Sequence, residues 1–486
     1  MPSAAANKLK EAARRLLPRS RFARSVSVLA GGTAMGQIIV VAASPILTRL
    51  YSPEDFGVLA VYIGLLGLLA VIASLSYQFA IPLPKSDKEA ASVTALCLLV
   101  VLGMTAISAA IVWAWGEPIA MALNTPALVP YLWLLPLGLL LIGVYEVFRY
   151  WAIRTRAFPA IARTKLTQAI SMVGVQLGAY TLGPLALLLG QTTGYAAGAS
   201  RLGLLSVRRN WDAFRQVRLA DIRWAATRYR RFPIYSSWGG LFDKVGTELP
   251  AILFAALFSP AAAGIYMLAQ RVLAMPIQLL GKAIADVFFS SAAEAHRNGD
   301  LAPLVSSIHR KLAHIAMPPI FLLLLAGPDL FGSVFGADWR QAGEFAQWIA
   351  PCVYLIFVTS PLSTLFSVME KQAQWMFFQG VLLVVRVGAL VIGGLQNDLI
   401  LAVALFAIGS ALCWAGILIW IVKASGNRLG EAWRPTVTAA LVAALLVAPL
   451  AVYYWLEAPW GYGLFALSVT VLAFAAYYGR MLRRVW

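Results

Sequence analysis

The chain has 486 residues, of which 60% are hydrophobic and only 12% are charged. Its mean hydropathy of +0.77 excludes a soluble globular domain, because so much apolar surface could not be kept from water. The composition indicates a polytopic membrane protein. A net charge of +18 would suggest a nucleic-acid partner in a soluble protein. Here the basic residues fall in gaps between apolar runs, so membrane topology explains them and no nucleic-acid partner is expected.

Apolar runs long enough to cross a bilayer follow one another along the whole chain. A spanning helix needs about 20 mostly apolar residues, and on that basis the sequence predicts an all-α protein with about 14 transmembrane helices. The predicted spans are 25–48, 56–80, 90–114, 127–148, 161–182, 184–206, 233–257, 263–290, 308–331, 341–368, 374–394, 398–422, 435–456 and 460–481. The segment 1–24 is either a basic amphipathic helix on the inner membrane surface or a disordered basic tail.

The basic residues predict the orientation of these spans. One set of alternate gaps contains 33 lysines and arginines, including Lys165 and nine arginines between Arg201 and Arg231. The opposite set contains only Arg49 and Arg340. Because basic residues favour the cytoplasmic side, both termini are predicted to be cytoplasmic. The alternation holds at every span, which supports the count.

One short motif occurs twice. Leu50–Gly57 and Leu257–Gly264 share a leucine, an aromatic residue, Ser-Pro and a glycine in the same register. The orientation puts both copies on the outer face, six spans apart, as two parallel six-helix lobes require. The predicted organisation is an N-lobe at 25–206, a cytoplasmic Arg-rich linker at 207–232, a C-lobe at 233–422, and a C-terminal helix pair with a cytoplasmic tail at 423–486.

Seven ionisable residues lie deep within predicted spans, and a charge at the bilayer centre costs about 2.5–3.5 kcal/mol. They are Asp243, Lys244 and Glu248 in span seven, Arg271, Lys282 and Asp286 in span eight, and Arg386 in span eleven, while Arg49 lies at the outer end of span one. One interpretation is mutual neutralisation, with Glu248 beside Arg271 and Lys282 beside Asp286. The other is a functional site, which we favour for Arg386, because arginine suits an anionic phosphate. The first half is nearly charge-free at equivalent depths.

Motifs for catalysis or metal binding are missing from the sequence. The three histidines and three cysteines have spacings that predict neither a metal site nor a disulfide framework. We find no Walker A motif and no Gly-x-Ser-x-Gly elbow with a plausible triad. The outer loops are too short to carry a catalytic domain. The sequence therefore predicts a protein that is not an enzyme, without catalytic residues, metal or cofactor.

The segment from Gly32 to Gly57 reads GTAMGQIIVVAASPILTRLYSPEDFG. It resembles the opening of the Wzx-type polysaccharide biosynthesis flippases, the O-antigen and exopolysaccharide translocases of the multidrug/oligosaccharidyl-lipid/polysaccharide exporter superfamily. Ala263–Arg271 resembles the Gly-x-Tyr-x-x-Ala region of that family, and Asp243 matches a commonly acidic position in span seven. These motifs are diffuse, so they indicate the family better than the substrate.

The resemblance implies a flippase that moves an undecaprenyl-pyrophosphate-linked oligosaccharide from the cytoplasmic to the periplasmic leaflet, for lipopolysaccharide or exopolysaccharide synthesis. It implies alternating access and a cationic central cavity that holds the pyrophosphate. The candidate phosphate-binding residues are Arg271, Lys244, Lys282, Arg386 and Arg49, and the gating or ion-coupling candidates are Asp243, Glu248 and Asp286. The implied partners are membrane lipids, the polysaccharide polymerase or export machinery, and H+ or Na+ as coupling ion.

Two other functions stay open. An ion-coupled multidrug exporter would have the same fold, although a cation exporter should show more acidic than basic residues in its spans. A membrane-embedded glycan-processing enzyme is the weaker alternative, because it needs an outer loop that carries an acid and a base. Lipid II flippases of the superfamily place several arginines in the early spans. Only Arg49 follows that pattern here, which argues against a peptidoglycan precursor as cargo.

Overall fold

The computed structural model describes residues 21–428, 430–456 and 460–485. Nearly all of the predicted basic segment 1–24 therefore lies outside the described residues. Within the described ranges the chain forms α-helices joined by short turns, without a β-strand. The helices of the first half are α1 (Arg21–Leu50), α2 (Pro53–Ile72), α3 (Asp87–Ala122), α4 (Leu134–Arg154), α5 (Phe158–Gly178), α6 (Pro184–Arg209), α7 (Trp211–Arg215), α8 (Leu219–Arg228) and α9 (Ser237–Leu257).

The second half continues the same pattern of long helices. They are α10 (Pro260–Pro276), α11 (Lys282–Asn298), α12 (Leu301–Phe335), α13 (Arg340–Leu362), α14 (Leu365–Val368), α15 (Gln372–Leu395), α16 (Leu399–Ala424), α17 (Gly430–Trp455) and α18 (Trp460–Val485). Ten helical segments of the described chain are long and apolar enough to cross a membrane. The other four predicted spans coincide with the more polar helices α5, α6, α9 and α18. The prediction of an all-α polytopic membrane protein is confirmed.

Three details differ from the sequence prediction. The second span ends at Ile72 rather than near residue 80, because Leu75 and Ser76 adopt φ angles of 47° and 61°, which a helix cannot contain. The linker contains the helices α7 and α8. The eighth span is interrupted, since α10 ends at Pro276 and a π-helical turn over Ile277–Gly281 precedes α11.

The helices form two compact units, one ending at Gly264 and the other beginning at Ile265. In the first unit α1 packs on α5, α5 on α6, α4 on α6, and α9 along α2. The Tyr62 hydroxyl lies 3.1 Å from the Leu134 carbonyl oxygen and 3.0 Å from the Thr192 hydroxyl, so it joins α2, α4 and α6. Helix α9 thus belongs to the first unit, and the division into two six-helix lobes stays a prediction.

The repeated motif starts a helix each time it occurs. Ser52 caps α2, because its hydroxyl accepts from the Asp55 N–H at 3.2 Å and its own N–H donates to the Asp55 carboxylate at 3.1 Å. Ser259 caps α10 in the same way, accepting from the Ala262 N–H at 3.2 Å. A proline at the first helical position suits both starts, since that N–H would have no partner within the helix. The shared Ser-Pro is therefore a helix-capping signal.

The two motif copies also pack against each other within the first unit. A Cβ atom added at Gly57 would lie 1.8 Å from the Pro260 carbonyl oxygen. A Cβ atom added at Gly264 would lie 2.0 Å from the Pro53 carbonyl oxygen. Each glycine thus lies against the backbone of the other copy's proline. This reciprocal contact requires the same spacing between the proline and the glycine in both copies.

The second unit is built around α12, α13, α16 and α17. Helices α12 and α13 approach closely at two glycines, because a Cβ atom added at Gly343 would lie 2.3 Å from the Gly327 carbonyl oxygen. At one end of this pair, the Asp329 carboxylate accepts from the Tyr454 hydroxyl and forms a 2.6 Å ion pair with Arg340. These contacts hold α12, α13 and α17 together.

Candidate functional site

A cavity of about 290 Å³ lies within the first unit, between α1, α5 and α6. Its wall combines apolar surface with several polar side chains. Gln37 comes from α1, Lys165 and Gln168 come from α5, and Gln191 and Tyr195 come from α6. A cluster of amide, hydroxyl and ammonium groups inside a membrane helix bundle is costly unless it binds something, so this cavity is the candidate site.

Small residues on α6 make room for the polar side chains of α5. Gly190, Gly194 and Gly198 are spaced by four residues and so share one face of the helix. A Cβ atom added at Gly198 would lie 2.1 Å from Gln168 Nε2. A Cβ atom added at Gly190 would lie 2.4 Å from Gln176 Cγ. The glycine face of α6 therefore admits two glutamines from α5, and an alanine at either position would push them away.

Lys165 gives the cavity a positive charge. Its ammonium lies 4.9 Å from the centroid of the Tyr145 ring, a cation–π contact. Glu146 and Arg149 lie within electrostatic range of Lys165, but these two already form an ion pair with a distance of 2.5 Å. Among the residues that the structure describes, Lys165 makes no salt bridge of its own. Its ammonium is thus not held in a contact ion pair and is available to an anion.

Two hydrogen-bonding groups in or near the cavity are unused. Gln168 Nε2, in the wall, and the Tyr145 hydroxyl, on α4 outside the lining, are buried without a hydrogen-bond partner among the described residues. Gln191 Nε2 donates to the Tyr195 hydroxyl at 2.7 Å. Buried polar groups are nearly always paired, so unpaired ones beside a cavity indicate groups that a bound molecule can satisfy. An ammonium, an amide and a phenol together suit phosphate oxygens and sugar hydroxyls.

A second pair of charges lies on α9. The Lys244 ammonium is 3.2 Å from the Glu248 carboxylate one helical turn away. The Glu248 side chain lies over Gly67 of α2, where an added Cβ atom would be 3.1 Å from its carboxyl carbon. The Tyr195 hydroxyl lies within electrostatic range of Glu248 and of Glu146. One interpretation of the sequence paired Glu248 with Arg271, whereas in the structure Glu248 forms a salt bridge with Lys244.

The other predicted site residues have different surroundings. Arg49 is exposed and donates to the Pro45 carbonyl oxygen of its own helix at 2.6 Å. Arg386, in the second unit, donates from Nε to the Ser410 hydroxyl at 3.1 Å, and its guanidinium lies 5.4 Å from the Phe406 ring centroid. Arg386 thus connects α15 to α16, and a phosphate there would compete with Ser410. Arg271 is half-buried on α10.

Three predicted site residues, Asp243, Lys282 and Asp286, have side chains that lie outside the described part of the chain. Lys165, in contrast, was not among the predicted site residues. The sequence assigned it to the basic gap between spans four and five, where lysines and arginines are typical of topology. A lysine three residues before Gln168 on the same helix was the available signal, because the two share a face.

Comparisons with known proteins agree with this fold. Residues 46–344 match the model of a family described as "polysaccharide biosynthesis protein". The succinoglycan biosynthesis transport protein ExoT of Rhizobium meliloti (strain 1021) is 24% identical over 448 residues, which cover 85% of this chain and 83% of the relative.

Two solved structures have a similar fold. A lipid II flippase MurJ in an inward closed conformation has a TM-score of 0.72 and 11% identity, covering 94% of this chain and 99% of that one. An inward-facing multidrug resistance transporter of the MATE family, from the MOP superfamily, has a TM-score of 0.65 and 14% identity, covering 82% and 98% of the two chains. At such low identities the likeness shows the fold alone.

Proposed function

Since this chain belongs to the polysaccharide biosynthesis protein family, we propose that it carries a polyprenyl-pyrophosphate-linked oligosaccharide from the cytoplasmic to the periplasmic leaflet of the bacterial inner membrane. In this proposal it is a transporter that works by alternating access, and it is not an enzyme. The relative from Rhizobium meliloti supports transport in polysaccharide biosynthesis, because its name describes a succinoglycan biosynthesis transport protein. The fold is compatible with a lipid cargo, since a lipid II flippase has it, although a multidrug transporter has it as well.

One observation supports a cargo that contains phosphate. The Lys165 ammonium lies in the wall of a cavity, next to an aromatic ring, while the nearby Glu146 carboxylate is already paired with Arg149. A cationic drug would be repelled by such a wall, whereas a phosphate would gain a charge-assisted hydrogen bond. The amides of Gln37, Gln168 and Gln191 supply donors and acceptors for sugar hydroxyls.

The residues predicted from the sequence keep their proposed roles in addition to Lys165. Lys244, Arg271, Lys282, Arg386 and Arg49 are proposed phosphate contacts. Asp243, Glu248 and Asp286 are proposed for gating or for coupling to H+ or Na+. Glu248 has the strongest support among these, because its carboxylate already has a basic partner that could release it when a proton or a phosphate arrives.

Reconstituted transport tests the function directly. The purified protein is placed in liposomes that contain a polyprenyl-pyrophosphate oligosaccharide with a fluorescent sugar, and a membrane-impermeant glycosidase reports the fraction in the outer leaflet. We expect this fraction to equilibrate only when the protein is present, and faster under a proton or sodium gradient. The matched control cargo is the same oligosaccharide on an uncharged polyprenol. Equal rates for the two cargoes, or equal rates with and without protein, would contradict the proposal.

A further inference from the structure

The linker between α6 and α9 has a fixed position in the first unit. Phe214 of α7 packs on Trp151 of α4, with ring centroids 4.7 Å apart. Asp221 of α8 forms a 3.3 Å ion pair with Lys88 of α3. The Tyr77 hydroxyl donates to the Ala226 carbonyl oxygen at 3.3 Å. The two short helices are therefore docked on the ends of α3 and α4.

That docking site lies at the level of the lipid headgroups. Helix α4 has 21 residues, and at 1.5 Å per residue it is about 32 Å long, close to the roughly 30 Å of hydrocarbon in a bilayer. Trp151 belongs to its last turn and Lys88 to the first turn of α3. Helices α3 and α4 are both apolar enough to cross the membrane. The linker that contacts these ends thus lies where the chain leaves the hydrocarbon.

The linker combines positive charge with exposed apolar side chains. Residues 207–232 contain eight arginines and two aspartates. Both aspartates are already paired, Asp212 with Arg215 at 2.9 Å and Asp221 with Lys88. Leu219, Trp211 and Trp224 are 63%, 58% and 42% exposed. The arginines that remain have no carboxylate of the linker to neutralise them.

The positive-inside rule explains the arginines but not the apolar residues between them. Large exposed apolar side chains among basic residues, at headgroup depth, are the pattern of interfacial helices that bind anionic lipid. Tryptophan in particular favours the boundary between headgroups and hydrocarbon. We propose that the solvent-exposed residues of the linker bind the anionic phospholipid headgroups of the adjacent leaflet. These residues are Trp211, Leu219, Trp224 and the neighbouring arginines.

An environment-sensitive fluorophore on the full-length protein tests this surface. The probe is attached at Leu219→Cys in a Cys413→Ser background, because the remaining cysteines, Cys97 and Cys352, are buried. The protein is placed in nanodiscs of phosphatidylcholine alone or of phosphatidylcholine with phosphatidylglycerol. We expect a blue shift and quenching by brominated lipid in the anionic nanodiscs. A probe at the exposed Asp300, outside the linker, should not respond.

Charge variants separate the binding of anionic lipid from the binding of an acidic protein. Changing Arg218, Arg223 and Arg228 together to glutamine should abolish the response, since each arginine lost shifts the bound-to-free ratio roughly fivefold. The same three changed to lysine should retain most of it. A probe spectrum that is identical in the two kinds of nanodisc, or a response that survives the glutamine changes, would overturn the proposal and favour an acidic protein partner. The elution profile of each variant checks that it is folded.

Discussion

Lys165 is the side chain whose surroundings say most about the cargo. It faces a cavity of amide and hydroxyl groups, and the carboxylate in its neighbourhood is already bound to an arginine. A buried ammonium normally loses its proton or acquires an acidic partner. An anionic ligand would supply the partner that stabilises the charged form of Lys165. The pyrophosphate of a lipid-linked glycan has that charge, whereas a cationic drug does not.

Lys165→Met should lower the initial rate of glycan flipping roughly 10- to 100-fold, because it removes one charged hydrogen bond to the phosphate. The reconstituted leaflet assay measures this rate. Lys165→Arg should keep a substantial part of the activity, since the charge remains. Lys85→Met, at an exposed position in the turn before α3, is the matched control and should leave the rate unchanged. Equal rates for the Lys165 and Lys85 methionine variants would remove Lys165 from the site.

Gly57→Ala should destabilise the protein by about 1–3 kcal/mol, because the new methyl group would overlap the Pro260 backbone and force the two turns apart. The measurement is the temperature at which the detergent-solubilised protein loses its monodisperse elution peak. Gly103→Ala is the control, since a Cβ atom there meets no atom within 4 Å and alanine favours a helix. An unchanged temperature for Gly57→Ala would show that the turns are not in tight contact.

At the scale of single elements, helix packing shapes the cavity, and a few polar contacts position the linker. The glycine face of α6 brings α5 close enough for Gln168 to reach the cavity wall. Helix α8 lacks enough apolar surface to be buried fully, so a few polar contacts decide its position. One of these is Asp221, whose carboxylate accepts from the Arg218 N–H at 3.0 Å and pairs with Lys88.

The docking of α8 should weaken in acid. The Arg218 N–H, and with it the Lys88 ammonium, hold the pKa of Asp221 below its ordinary value of 3.8. A carboxyl group whose pKa is lower in the folded state than in the unfolded state stabilises the folded state at pH values above the unfolded pKa. This stabilisation is lost as the pH falls through the folded pKa. We therefore expect faster pepsin cleavage within residues 219–228 as the pH falls below about 4. The Asp221→Asn variant should be cleaved fast at every pH tested, while the Asp212→Asn variant should behave like the unaltered protein.

At the scale of the whole molecule, the fold can be predicted well from hydropathy, because lipid requires long apolar helices. All fourteen predicted spans coincide with helices. Local backbone breaks could not be predicted in the same way: residues 73–80 contain no glycine, proline or charge that would mark a helix end, and the φ angles of Leu75 and Ser76 end the helix. Lys165 could not be assigned to a cavity, since its role depends on how α6 packs. The salt-bridge partner of Glu248 could not be predicted either, because it depends on side-chain geometry.

The boundary of the first unit leads to a prediction about fragments. Helix α9 covers Gly64 and Gly67 of α2, so a fragment that ends before α9 exposes this glycine face. We expect the fragment ending at Gly264 to elute as a monodisperse peak in detergent, and the fragment ending at Arg231 to aggregate. Size-exclusion chromatography of the two fragments, with the full chain as reference, is the measurement. A monodisperse shorter fragment would mean that α2 does not need α9.

The reciprocal contact of Gly57 and Gly264 has a consequence for the history of this chain. If a duplication produced the two motif copies, each copy became part of the environment in which the other is selected. A change that widens one turn would then be tolerated only with a matching change in the other. The two turns should therefore diverge more slowly than the helices that follow them, and they should preserve a trace of their common ancestor after the rest of the repeat has lost it.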